Sequence, residues 1–212
     1  SDVRFGVGSD GLVLILPSEV ADFRMRIFNA DGSEAMMCGN ATRCIGKYVY
    51  DMGMTDKTEI SLETNSGIKY LTLYPDANNK IESVKVDMGK AILVPREIPV
   101  NSDLERFIAQ PVTVDGKEYA MTCVSMGNPH AVVFLPEVDS LDLGSGETFA
   151  CGTGTCATVV AAVLNGFCKK EEEILVHLRG GDLRIIYHED DTVTMIGPAT
   201  YVFEGKMEYP NL

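Results

Sequence analysis

The 212-residue sequence has no tryptophan and only three histidines, His130, His177 and His188. None of its cysteine pairs has C-x-x-C spacing, so no zinc-type ligand set is expected and the metal assignment is none. Cations are scarce: 18 Lys and Arg stand against 31 Asp and Glu, a formal net charge of −13. A surface that acidic repels phosphate backbones, which excludes nucleic acid as an expected partner. It says little about a small zwitterion, because the field in a pocket is set by the pocket's own groups. No apolar run approaches the length needed to cross a bilayer, so no membrane association is expected. The opening residues lack a basic region followed by an apolar stretch, so no signal peptide is expected either. Gly152-Thr153-Gly154-Thr155 lacks the Gly-Lys-Ser/Thr ending of a phosphate loop. Gly144-Ser145-Gly146 lacks the third glycine of a dinucleotide fingerprint.

What is there is a hydrophobic content of 45% and six cysteines, Cys38, Cys44, Cys123, Cys151, Cys156 and Cys168. A chain this long and this apolar can bury a core without disulfides. Reduced thiols and a cytoplasmic location are therefore expected. Cys123 and Cys168 read as small buried hydrophobes, and Cys44 and Cys156, inside helices, read the same way with less force.

Strand patterns dominate. Phe23 to Phe28 alternates apolar and basic residues, the period of a half-buried strand. Apolar or alternating stretches recur at Gly11 to Leu16, Ile60 to Glu63, Ile68 to Tyr74 and Ile81 to Met88. After a proline-marked stretch from Pro95 to Pro111 they resume at Val112 to Val114, Tyr119 to Met126 and Ala131 to Leu135. A last group covers Ile174 to Leu178, Leu183 to Tyr187, Val193 to Ile196 and Tyr201 to Phe203. Two segments instead have helical spacing, Asn40 to Met52 and Thr153 to Leu164, with Gly53 and Gly166 as stop signals. Each is preceded by a Cys-Gly pair. Gly32-Ser33-Glu34-Ala35-Met36-Met37-Cys38-Gly39 also matches Ser145-Gly146-Glu147-Thr148-Phe149-Ala150-Cys151-Gly152, with a Glu four residues before each Cys. The repeat predicts a pseudo-symmetric duplication: two domains, each a sheet around one helix, facing across a cleft.

Cys38 and Cys151 thus each sit at a helix N-terminus, where unpaired N–H groups and the positive dipole end favour thiolate. Gly39 and Gly152 let a ligand approach the backbone, and a helix N-terminus binds carboxylate. Two thiols and two anion-binding helix ends suit inversion of a stereocentre next to a carboxylate. One thiolate removes the α-proton and the opposite thiol delivers another. The developing charge needs preorganised N–H donors in a site that excludes water.

The motifs Phe28-Asn29-Ala30-Asp31-Gly32-Ser33-Glu34, Met37-Cys38-Gly39-Asn40, Met126-Gly127-Asn128-Pro129-His130, Gly146 to Gly154, and Gly197-Pro198-Ala199 with Val202-Phe203-Glu204-Gly205 resemble, in order, the diaminopimelate epimerase family. Phe5 to Gly11 fits the family's opening region. The resemblance implies interconversion of LL- and meso-2,6-diaminopimelate, without pyridoxal phosphate or any other cofactor, in the lysine and peptidoglycan pathway. Cys38 and Cys151 would be the acid/base pair. Asn29 and Asn128 would bind or flank the substrate, and Gly39 with Asn40 and Gly152 with Thr153 would hold carboxylate. His130 would tune the thiols; the alternative is a hydrogen-bonded packing residue. The implied fold is α+β: two pseudo-symmetric domains, each a mixed β-barrel around a central helix. Residues 1–108 would form the first, with the final segment 198–212 returning to it as a strand, and 109–197 the second. The only expected partner is the small-molecule substrate, with room for a homodimer.

Two family features have no counterpart here, an N-terminal Gly-Asn-Asp-Phe turn and a Glu-Arg pair before the Gly-x-Gly-Glu-Thr motif; Asp142-Leu143 stands in the second place. A segment is therefore expected to be missing between Leu143 and Gly144. The rival readings are a proline or hydroxyproline racemase of the same fold, a non-catalytic relative, and a thiol-redox or metal-binding protein. Asn40 after Cys38-Gly39, where the racemases resemble Cys-Gly-His, argues against the first. Activity should survive dialysis against a chelator and treatment with carbonyl reagents. Loss on chelation, restored by a metal, would instead identify a metalloprotein.

Overall fold

The computed structural model describes residues 8–138 and 150–206. Twelve strands, two α-helices and one short 3-10 helix (Pro95–Glu97) are placed among them. In the first half β1 (Gly11–Leu16), β2 (Phe23–Asn29) and the two-residue β3 (Glu34–Ala35) precede α1 (Gly39–Asp51). β4 (Glu59–Thr64), β5 (Gly67–Pro75) and β6 (Ile81–Lys90) follow it. The second half begins with β7 (Gln110–Val114), β8 (Lys117–Ser125) and β9 (Pro129–Val133). It continues with α2 (Gly152–Leu164), β10 (Glu173–Leu178), β11 (Gly181–Tyr187) and β12 (Thr192–Pro198).

The alternation seen in the sequence is what places these strands. In β5, Lys69, Leu71 and Leu73 turn inward while Ile68, Tyr70 and Tyr74 face out. The β7–β8 hairpin turns on Asp115-Gly116, both in the left-handed region (φ 50° and 76°), as the tight two-residue connection requires. Both helices stop as their glycines predict. Gly53 (φ 70°) and Gly166 (φ 78°) donate to Tyr50 O and Val163 O. The residues after them, Met54 and Phe167, donate to Val49 O and Ala162 O. This double back-bond satisfies the carbonyls that the helix end leaves open.

One sheet runs through both halves in the order β1-β2-β4-β5-β6-β12-β11-β10, with β3 on β2. β2 and β4 are parallel; the other neighbours are antiparallel. A second, three-stranded sheet is β7-β8-β9. α1 packs on β5 and β6, and α2 on β8, β9, β11 and β12. Each half therefore has one helix enclosed by its own strands, as the repeat predicts. The β6–β12 ladder, Val86 opposite Met195 and Lys85 opposite Ile196, joins them into one core. Met25, Val49, Leu62, Leu71 and Val86 lie in that core with Val160, Ile185 and Met195. The division into 1–108 and 109–197 is a proposal that this packing supports.

The two-residue β3 is a strand that the sequence pattern does not reveal. The strand expected at Tyr201 to Phe203 does not form: residues 199–206 carry no ladder. The chain does return to the first half there, but as irregular backbone, with Ala199 to Glu204 beside Lys47, Tyr48 and Met52 of α1. Tyr201, Val202 and Phe203 are exposed, so no buried face holds them in a sheet. Of the four cysteines expected to be buried, Cys123 and Cys156 are, Cys168 is only partly so, and Cys44 is exposed on α1. The expected break between Leu143 and Gly144 lies outside the described residues.

Register on β5 is directly testable. Leu71→Ala empties a fully buried site and should cost about 2–5 kcal/mol in urea unfolding. Tyr70→Ala, at an exposed site on the other face, should cost less than about 1 kcal/mol. Equal losses would mean the strand is turned the other way.

Candidate active site

The two Cys-Gly pairs converge. Cys38 is the N-cap of α1 and Cys151 the N-cap of α2, both with extended backbone (φ −137° and −134°). In each helix a threonine four residues on, Thr42 or Thr155, donates both its N–H and its hydroxyl to the cysteine carbonyl. The repeat is thus longer than the Cys-Gly pair: it reads Cys-Gly-x-x-Thr in both halves.

The first residues of the two helices touch. A Cβ placed on Gly152 would lie 3.4 Å from Gly39 Cα, and one on Gly39 would lie 3.6 Å from Gly152 Cα. Met195 of β12 lies beneath both, 3.0 Å (Cε) from the added Cβ at Gly39 and 3.2 Å (Sδ) from that at Gly152. A side chain at either position would first press on the end of Met195 and would already be in van der Waals contact with the opposite helix. Two positive dipole ends, each with free N–H donors, therefore meet at one point, with a cysteine beside each. Like poles in contact are unfavourable unless an anion lies between them or close by.

The two thiols are held differently. Cys151 Sγ accepts from Gly154 N at 3.3 Å and lies 3.6 Å from Thr153 Oγ1. Cys38 makes no such cap bond. Cys151 is exposed and Cys38 partly so. Burial pushes the thiol of Cys156, one turn into α2, up to about 12, which keeps it protonated and inert.

The other expected site residues divide into two groups. Asn40 lies at the junction: its Nδ2 donates to Ala150 O, the residue before Cys151, at 3.4 Å. Thr153 is buried beside Cys151. His130, on β9, lies against the first turn of α2, its Cε1 3.6 Å from a Cβ placed on Gly154. Its Nε2 is buried and has no hydrogen-bond partner among the described residues, and burial lowers its pKa from the ordinary imidazole value. The packing alternative requires a satisfied ring, so it fits less well. Asn29 and Asn128 are not brought to the junction by any described contact. Asn29 is exposed at the end of β2, where its side-chain amide donates to Ser33 Oγ. Asn128 is exposed in the β8–β9 turn beside Gly127 (φ 96°).

Arg43 belongs with the site and was not singled out from the sequence. Its side chain is buried at the junction and bonded to Gly39, Asn40, Met195 and Pro198. The available signal was a lone arginine, five residues after Cys38, among the buried residues of a helix.

The sequence profile of the diaminopimelate epimerase family matches residues 1–94 and 142–202. A diaminopimelate epimerase of Agathobacter rectalis is 51% identical over 98% of this chain and 88% of its own length. That of Acetivibrio thermocellus is 50% identical over 100% and 88%, and that of Methanococcus maripaludis 47% over 98% and 88%. The first alignment runs over 253 positions, more than the 212 residues here, so that relative carries residues with no counterpart in this chain. Among solved structures, a hydroxyproline epimerase of Agrobacterium vitis superposes with a TM-score of 0.67 at 15% identity, covering 94% of this chain and 77% of its own. A Bacillus anthracis phenazine biosynthesis protein of the PhzF family gives 0.66 at 17%, covering 96% and 86%. Those two likenesses show the fold alone. With the profile on both Cys-Gly segments and relatives at about half identity over nearly its whole length, the chain belongs to the diaminopimelate epimerase family.

Proposed function

We propose that this protein interconverts LL- and meso-2,6-diaminopimelate, with Cys38 and Cys151 as the two acid/bases. The observation that carries this reading is the meeting of the two cysteine-capped helix ends at Gly39 and Gly152. The α-carboxylate would lie on the free N–H groups there, held by Gly39, Asn40, Gly152 and Thr153. One thiolate takes the α-proton: the C–H bond breaks, an S–H bond forms, and the electron pair left on carbon spreads into the carboxylate. The N–H donors face the charge that develops there. The opposite thiol then gives its proton to the other face of the carbon, and the two sulfurs have exchanged states. His130, whose pKa burial lowers and whose buried Nε2 has no partner among the described residues, would adjust the proton affinity of the nearby thiol. Asn29 and Asn128 would reach the distal end of the substrate from the rim.

A proline or hydroxyproline racemase reading rests on distant likeness, and no observation at the site favours it. A cytoplasmic location belongs to the same proposal, because the two thiols must stay reduced. So does the homodimer, which sedimentation would test. The unmatched positions of the longer relatives are proposed to fall between Leu143 and Gly144.

Cys38→Ala and Cys151→Ala should each lower epimerisation by about 10²–10⁴-fold or more, since each removes the base from one face. Each variant should still exchange the α-proton of one isomer. Near-full epimerisation by Cys38→Ala would show the two-base assignment to be wrong. Mild oxidation should inactivate the enzyme, reversibly with a reductant, by joining Cys38 to Cys151. Peptide mapping that finds inactive protein with both thiols free would count against opposed cysteines.

A further inference from the structure

Arg43 is a buried cation, 6% exposed. Among the described residues no carboxylate neutralises it; the ionisable groups near it are the thiols of Cys44, Cys38 and Cys156. Its Nε donates to Pro198 O at 3.2 Å, Nη1 to Gly39 O at 3.3 Å and to Met195 Sδ at 3.2 Å, and Nη2 to Asn40 Oδ1 at 3.0 Å. All four acceptors are neutral. Guanidinium stays charged in proteins. Burying such a charge without a counter-ion costs free energy that a leucine at the same place would not. Its guanidinium also reaches back to Gly39 and Asn40 in the first turn, where a cation opposes the dipole. The backbone of Gly197 packs close to it: an added Cβ there would collide first with Leu183 Cδ2 and would lie 3.2 Å from Arg43 Nε. Stability alone does not account for this residue.

Its partners come from two elements, α1 and β12. Gly39 and Asn40 are the first two residues of α1, one turn back on the face of Arg43. Met195 and Pro198 belong to β12, and Met195 is the residue on which both Gly39 and Gly152 rest. Asn40, oriented through its Oδ1 by Arg43, reaches with its Nδ2 to Ala150 O, directly before Cys151. A chain of hydrogen bonds thus runs from β12 through Arg43 and Asn40 to the start of α2. The second half has no equivalent, because Cys156 occupies the corresponding place five residues after Cys151.

We propose that Arg43 is a positioning residue that holds the two cysteine-capped helix ends in register across the substrate, through Asn40 on one side and Met195 and Pro198 on the other. This rests on the epimerase reading above. Acid and base must lie on opposite faces of one carbon at the same moment, and a misplacement of about 1 Å can cost on the order of 10²-fold in rate. Removal of the proton needs only one correctly placed thiol. Inversion needs both. Loss of register should therefore damage inversion more than exchange.

The test uses Arg43→Met, Arg43→Lys and Asn40→Ala, each checked for folding by circular dichroism and thermal melting. Each is incubated in D₂O with LL-diaminopimelate beside the parent enzyme, whose turnover in the same assay tests the epimerase reading separately. Arg43→Met should lose on the order of 10²-fold in kcat, with KM changed far less. Deuterium in the recovered starting isomer, relative to inverted product, should rise several-fold. Arg43→Lys keeps the charge but not the fork, and should show the same rise with a smaller loss. Asn40→Ala keeps the guanidinium but removes its Oδ1 acceptor and cuts the chain. It carries the test if Arg43→Met does not fold, through the ratio of exchange to inversion, which a loss of carboxylate binding alone would not raise. Adding it to Arg43→Lys should cost little more than either change alone. A folded Arg43→Lys or Asn40→Ala variant in which inversion and exchange fall in the same proportion would overturn the proposal, as would kcat within twofold of the parent.

Discussion

The structure turns on a contact between two glycines. Gly39 and Gly152 bring the N-termini of two helices within van der Waals distance, and helix N-termini carry the same partial charge. That contact gains nothing in polar energy by itself. It is tolerated because the β6–β12 ladder and the core around Met195 hold the two halves as one body. A molecule that spends packing energy on holding two positive ends together has built a place for an anion. Under the proposed mechanism, the cysteines at both N-caps act on that anion.

The site was legible in the sequence to the extent that its chemistry is local. Cys38-Gly39 and Cys151-Gly152 could be placed at helix starts because each precedes a run with helical spacing that ends at a glycine. The structure moves those helix starts by one residue and explains the stops through the bonds at Gly53 and Gly166. Inward and outward residues on β5 follow from simple alternation. Tyr201 to Phe203 misled for the opposite reason: its residue types favour strand, but the structure offers them no ladder partner and no buried face.

What the sequence could not show depends on the third dimension. Arg43 lies 152 residues from Met195, and nothing local links them. The β6–β12 ladder that makes two repeats one core is a pairing between distant strands. The repeat itself conceals an asymmetry of consequence. Cys151 is held by Gly154 N and Thr153 while Cys38 is not capped, and a cation stands behind α1 where Cys156 stands in α2. Two similar halves thus hold two unlike cysteines at the helix junction.

The claim beneath all of this is that two separate bases serve the two faces of the substrate. Its most direct test is the early time course of the unaltered enzyme with LL-diaminopimelate in D₂O. Two opposed thiols predict that the first meso product carries deuterium at the inverted carbon while the recovered LL isomer remains free of it. Deuterium entering both isomers at the same rate from the start, the pattern of a single base reaching both faces, would contradict the account.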